Sequence, residues 1–146
     1  MLSKDRIREA QENVRAYMEE GIIKKMASLD PTILKTYRTN AEESLKVADI
    51  LYSQKVSYLW VVVSSYYSMY YIANAVLYKS GYKVGSKICH KVTGEALICF
   101  VRKKLRESLI EDFEKAQDEA LELAGAKADG IIESFEMERT KRSKFQ

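Results

Sequence analysis

Apolar residues recur at steps of three and four along most of the chain, the spacing that places them on one face of an α-helix. The pattern predicts a first helix from about Ser3 towards Ala27, with Gly21 as a weak point. A second helix is predicted to begin at Asp30 and Pro31, because aspartate accepts unpaired amide hydrogens and proline has no amide hydrogen to lose in a first turn. Since no stretch shows a convincing strand alternation, we predict an all-α chain.

The segment from Val56 to Tyr78 contains no charged residue. Its length reaches the roughly 18 to 20 apolar residues that a membrane-spanning helix needs. However, the segment also contains four serines, Asn74 and six tyrosines, whose polar groups require partners. We therefore predict the central helix of a helical bundle, in which neighbouring helices satisfy these groups, and no membrane contact.

Two more helices are predicted beyond Gly81 and the polar loop that follows it. One extends from about Ser86 to Leu105, with Ile88 among its apolar positions, and the other begins at Ser108 and continues past predicted kinks at glycines 125 and 130. The expected fold is an up-and-down bundle of four to five helices. It forms a single domain over residues 1–146, with an N-terminal extension helix at 1–29 and the bundle at 30–146.

The composition narrows the chemistry without identifying it. The 146 residues carry 24 basic and 21 acidic side chains, a net charge of +3. The two cysteines, Cys89 and Cys99, form no CxxC pair and there is no histidine cluster, so we predict reduced thiols, no metal and no cofactor. The N-terminus lacks the apolar core of a signal peptide, which favours the cytoplasm.

Two arginines near the C-terminus are candidate phosphate-binding residues. Helical steps extend the apolar face of positions 128, 131, 132 and 135 onto Glu138, Arg139 and Arg142. A charge on a buried face is costly without a partner or ligand, and the planar guanidinium suits phosphate recognition. Alternatively, Glu136 and Glu138 neutralise the arginines at a helix end, and the sequence leaves both interpretations open.

His90 is the only imidazole, so any histidine-based acid or base chemistry within the chain must use it. Lys87 and two neighbouring lysines give its loop a positive field, although a lone histidine is more often a core or helix-end residue. Tyr67 belongs to tyrosine pairs whose spacing is typical of core packing, but tyrosines also stack on bases. We therefore include Lys87 and Tyr67, with Glu138, Arg139 and Arg142, among the candidate nucleotide- or RNA-binding residues.

Four segments together resemble the HEPN domains of prokaryotes: NAEESLKVADIL, SSYYSMYYIANAVLYKSGY, CHKVTGEAL and ERTKRSKF. The resemblance covers the chain from about Leu34 onward. It implies a helical bundle that forms a homodimer, often encoded beside a small nucleotidyltransferase as a toxin and antitoxin pair. Many such proteins are metal-independent ribonucleases with an arginine followed shortly by a histidine in the last helix.

Arg142 lies where the resemblance places the catalytic arginine, and Arg139 precedes it by one helical turn. No histidine follows either arginine up to Gln146. The leading expectation is therefore a protein that binds nucleotide or RNA with little or no catalysis. The alternatives are a structural adaptor that docks a protein partner, and an active ribonuclease in which Arg139, Arg142 or His90 is catalytic.

Overall fold

The computed structural model describes residues 2–124 of the chain. Within these residues the elements, in chain order, are α1 (Lys4–Glu19), β1 (Ile23–Lys25), α2 (Pro31–Ser53), α3 (Tyr58–Lys79), β2 (Tyr82–Val84), α4 (Cys89–Ala96), a π-helical turn (Leu97–Val101) and α5 (Glu107–Ala124). The fold is the helical bundle that the sequence predicts.

The uncharged helix α3 is the centre of the bundle. It packs along α2 and also contacts α4, α5, β2 and the π-helical turn. Two of its serines are hydrogen-bonded within the protein: Ser68 Oγ donates to the carbonyl of Ala41 on α2 at 2.8 Å, and Ser65 Oγ donates to that of Val61 on α3 itself at 2.8 Å. The prediction that neighbouring helices satisfy these hydroxyls is confirmed for Ser68. None of the helices within residues 2–124 combines the length and hydropathy needed to cross a membrane.

Helix α2 begins as predicted at Asp30 and Pro31. The Asp30 carboxylate accepts from the Thr32 amide at 2.9 Å, and the Asp30 amide donates to the Tyr78 hydroxyl at 2.7 Å. The second contact ties the start of α2 to the end of α3. The buried residues of α2 are the small side chains Ala41 and Ala48, which permit a close approach of the two helices.

The first helix is shorter than predicted and a strand follows it. Helix α1 ends at Glu19, and Gly21 adopts a φ of +75°. Residues Ile23–Lys25 then pair antiparallel with Tyr82–Val84, so that Ile23 lies opposite Val84. The expectation of a helix towards Ala27 and of no strands is therefore wrong at this point. Three-residue strands are too short for their alternation to be visible in a sequence.

The predicted helix from Ser86 to Leu105 also differs. It is divided into α4 and the π-helical turn, which is followed by a short irregular segment before α5. Ile88, assigned to the apolar face, is 46% exposed and has a left-handed φ of 41°. Such a conformation is strained for a β-branched residue. α5 begins at Glu107, close to the predicted Ser108, and its predicted kinks at glycines 125 and 130 lie outside the described residues.

Candidate functional site

Helix α4 carries three polar side chains into the core. His90, Thr93 and Glu95 are each 0% exposed. Buried polar groups are costly unless they are hydrogen-bonded, so each needs partners on the elements that surround α4. These partners come from α1, α3 and α5, which makes α4 the polar centre of the described structure.

His90 is bound to both α3 and α5. Its Nδ1 lies 2.8 Å from the Tyr66 hydroxyl. The amide of Gln117 donates to that hydroxyl oxygen at 3.0 Å and to the carbonyl of His90 at 2.9 Å. Because Tyr66 accepts from Gln117, its own hydrogen is available to Nδ1. The imidazole tautomer sets which of the two atoms donates in the Tyr66–His90 hydrogen bond.

The surroundings of the imidazole favour its neutral form. Its ring stacks on Tyr70, with the centroids 4.3 Å apart, and meets Tyr67 edge-on at 5.6 Å. Burial lowers the pKa of His90 to about 4. Its Nε2 is buried and has no hydrogen-bond partner. An imidazole in this environment is neutral near pH 7 and has no route for proton exchange with an exposed substrate.

Glu95 is held by α1. Its Oε1 accepts from the Tyr17 hydroxyl at 2.7 Å. Its Oε2 accepts from Asn13 Nδ2 at 2.7 Å and from Arg6 Nη1 at 3.2 Å. Arg6 extends the contact to α5, where Glu114 Oε1 lies 3.0 Å from its Nη2. A buried carboxylate with three donors, one of them a guanidinium, is a fully satisfied group.

The Glu95 network also affects two nearby groups that could otherwise react. Burial, and then the hydrogen bond to Glu95, raise the pKa of the Tyr17 hydroxyl, which therefore stays protonated and donates. Burial, and then the charge of Glu95, raise the pKa of the Cys99 thiol to about 11. Since the thiolate is the reactive form, Cys99 is a weak nucleophile in this state. Among the described residues, neither Cys89 nor Cys99 forms a disulfide.

Thr93 completes the polar face of α4 towards α3. Asn74 Nδ2 donates to Thr93 Oγ1 at 3.3 Å and to the carbonyl of Tyr70 at 3.0 Å. Asn74 is itself 3% exposed. The asparagine that argued against a membrane helix therefore links α3 to α4.

The predicted site residues fall into three groups. His90 and the half-buried Tyr67 lie together in the aromatic cluster, whereas Lys87 is exposed in the loop before α4. Glu138, Arg139 and Arg142 lie outside the described residues. The sequence interpretation missed Glu95, although a single acid between apolar neighbours such as Val92 and Ala96 is a signal for a buried carboxylate. Within residues 2–124 no group of three or more potential ligands is placed to hold a metal ion.

The described surface has two apolar regions. The first is a groove between α3, α5 and the π-helical turn, with a volume of about 290 Å³. It is flanked by Ile72 and Leu109, which are 47% and 52% exposed. The second is the turn between α2 and α3, which exposes four large side chains: Tyr52, Val56, Tyr58 and Trp60. Exposed apolar surface of this kind is typical of interaction sites.

A comparison with protein-family models finds a match to the HEPN domain over residues 34–130, more than half of the chain. The chain belongs to the HEPN family. Comparisons with curated proteins and with solved structures find no match.

The HEPN match contains some of the described polar groups and not others. His90 and Glu95 lie within the matched residues 34–130, whereas the three donors to Glu95 lie before them, on α1. Arg139 and Arg142 follow the matched residues. The Glu95 carboxylate lies within the HEPN region but depends on donors that precede this region. Helix α1 also packs against α4 and so belongs to the same packed structure.

Proposed function

We propose that this HEPN protein is a cytoplasmic homodimer that binds RNA or a nucleotide through Arg139 and Arg142, with Glu138, Lys87 and Tyr67 as further contact residues. The proposal follows from the family match and from the phosphate chemistry of the two guanidinium groups. A small nucleotidyltransferase is the proposed partner, with this chain as the toxin-side subunit of the pair. A nucleotidyltransferase gene adjacent to the one for this chain would support that pairing.

The burial of His90 is the observation that favours binding over cleavage. His90 is the only imidazole of the chain, and it is enclosed by tyrosines with its pKa lowered to about 4. A histidine that cleaves RNA must reach the substrate and exchange protons near neutral pH. The burial of His90 therefore argues against a ribonuclease that uses it, and binding is the role that we propose.

Replacing Arg139 and Arg142 together by alanine is expected to weaken the binding of a fluorescent single-stranded RNA at least tenfold. Loss of two phosphate contacts should also reduce the slope of log K against log salt concentration by about 1.4, at roughly 0.7 per contact. Fluorescence anisotropy over a salt series measures both quantities. ATP in place of RNA tests the nucleotide alternative.

The matched control is the variant in which Arg8 and Arg15, both exposed on α1, become alanine. It removes the same net charge and should leave the salt slope within error of that of the natural chain. Equal losses in the two variants would mean that only total charge matters. Unchanged affinity in the Arg139→Ala, Arg142→Ala variant, with unchanged helicity by circular dichroism, would refute the proposed site.

The apolar groove is the surface that we assign to the second copy in the homodimer. Leu109→Lys places a charge at its rim and is expected to shift the molar mass measured by light scattering from dimer to monomer. Leu45→Lys is the control, because Leu45 is similarly exposed, at 50%, but does not line the groove. If the Leu109→Lys protein remains dimeric, the groove is not the dimer interface.

A protein-docking adaptor is the second candidate function, and the turn between α2 and α3 favours it. Lys55 and Ser57 have φ values of 55° and 46° there, and Tyr52 is 73% exposed beside them. Aromatic side chains are frequent anchors in protein interfaces. No RNA or nucleotide binding at any salt concentration, combined with a stable complex that is lost on Tyr52→Ser and Trp60→Ser, would favour this function over the first.

A further inference from the structure

Helix α1 is held to the rest of the protein by a small apolar face and one concentrated polar contact. Only three of its residues are buried: Ala10, Val14 and Tyr17. Among the described helical segments, its main packing partners are α4 and the π-helical turn. The opposite face of α1 is charged and exposed. The area that α1 buries is therefore limited compared with that of α3.

All the hydrogen bonds that the structure gives to the Glu95 side chain come from α1. If α1 leaves, the carboxylate has no donor among residues 2–124 and must be reached by water instead. A partly opened α1 would leave a buried charge with too few partners, which is unfavourable. The contact therefore favours two states, α1 fully seated or α1 fully released.

The two ends of α1 are attached differently. At its C-terminal end, Gly21 has a φ of +75°, and Ile23 beyond it is fixed in the ladder with β2. At its N-terminal end, the Leu2 amide donates to Glu107 Oε1 at 2.8 Å, and Arg6 contacts Glu114. The glycine is the conformationally permissive point between a peripheral helix and an anchored strand.

From this arrangement we propose that α1 detaches from the bundle as a unit, with Gly21 as the hinge. The hydrogen bonds to the Glu95 carboxylate are the contact that holds it in place. This opening of α1 goes beyond the proposed function and does not require RNA or a nucleotide. Opening would uncover the face of α4 that carries Glu95 and the adjacent Cys99, which packs with Ala10 and Ile98 beneath α1. The reactivity of the Cys99 thiol is therefore a reporter of opening.

The test compares Tyr17→Phe and Asn13→Ala with the natural full-length chain. Each variant removes one donor to Glu95 and keeps the apolar face of α1 nearly intact. We expect amide hydrogen exchange in α1 to accelerate about tenfold or more, the effect of losing one hydrogen bond to a charged group. Alkylation of the partly buried Cys99 by iodoacetamide, located by peptide mass spectrometry, should accelerate with it. In the natural chain and in both variants, α1 should exchange faster than α3, because α1 exchanges through its own opening and α3 through global unfolding.

Tyr52→Phe is the matched control, because it removes a tyrosine hydroxyl from an exposed position on α2. It should leave both rates unchanged. The proposal is overturned if Cys99 alkylation does not accelerate in the two α1 variants. It is equally overturned if the amides of α1 exchange no faster than those of α3, because the opening reaction would then be global unfolding.

Discussion

Replacing Arg6 by methionine is expected to lower the free energy of unfolding by about 3 kcal/mol, the lower part of the range for breaking a buried ion pair. Methionine retains the aliphatic stem of arginine but leaves the Glu95 carboxylate without its positive partner. Asn13 and Tyr17 still donate to it, and Arg6 is itself 29% exposed, which limits the loss. Urea unfolding followed by circular dichroism measures the change.

The double variant Arg6→Met, Glu95→Met separates the ion pair from its surroundings. When both charges are removed, no buried charge is left uncompensated, so most of the lost stability should return. Arg8→Met is the control for helix propensity, since Arg8 is exposed on the same helix, and it should change stability by less than about 0.5 kcal/mol. An Arg6→Met protein as stable as the Arg8→Met protein would contradict the structural role of the pair.

The central helix and the start of α2 were predictable because their signals are local. A run without charges between Lys55 and Lys79 indicates a helix with most of its contacts inside the bundle, and the order Asp30, Pro31 fits a helix start by chemistry alone. Both signals lie within a few residues of the feature that they predict.

The Glu95 network was not predictable because its partners are distant in sequence. Arg6, Asn13 and Tyr17 lie 89, 82 and 78 residues from Glu95. A glutamate in a helical pattern normally faces solvent, and its burial becomes favourable only when the donors are brought to it. Helical spacing describes which residues share a face, but it does not describe which helix covers that face.

The same limit applies to His90. The sequence left its role open between a core residue and a catalyst, because the loop and the nearby lysines are compatible with either. The contact of Tyr66 on α3 with the ring, and that of Gln117 on α5 with the backbone carbonyl of His90, are what place it in the core. The strained Ile88 also has no sequence signal, since a left-handed turn usually requires glycine or asparagine.

The free energy of unfolding is expected to fall by roughly 1.5 kcal/mol between pH 6.5 and pH 5 because of His90 alone. Its pKa is about 4 in the folded protein against an ordinary value of 6.5. Over this window the unfolded chain takes up a proton that the folded chain does not. The contribution of His90 is therefore complete above pH 6.5, is lost as the pH falls towards 4, and changes little further below that.

The variant His90→Phe tests this prediction because it keeps an aromatic ring in the cluster and removes the only histidine of the chain. Its stability should be nearly independent of pH between 6.5 and 5, a range in which ordinary carboxylates remain ionised. Urea unfolding at closely spaced pH values compares the two proteins. The imidazole contacts Tyr66, Tyr67 and Tyr70, which carry no charge to stabilise an imidazolium. Parallel pH curves for the two proteins would therefore mean that the ring is not enclosed as the structure shows.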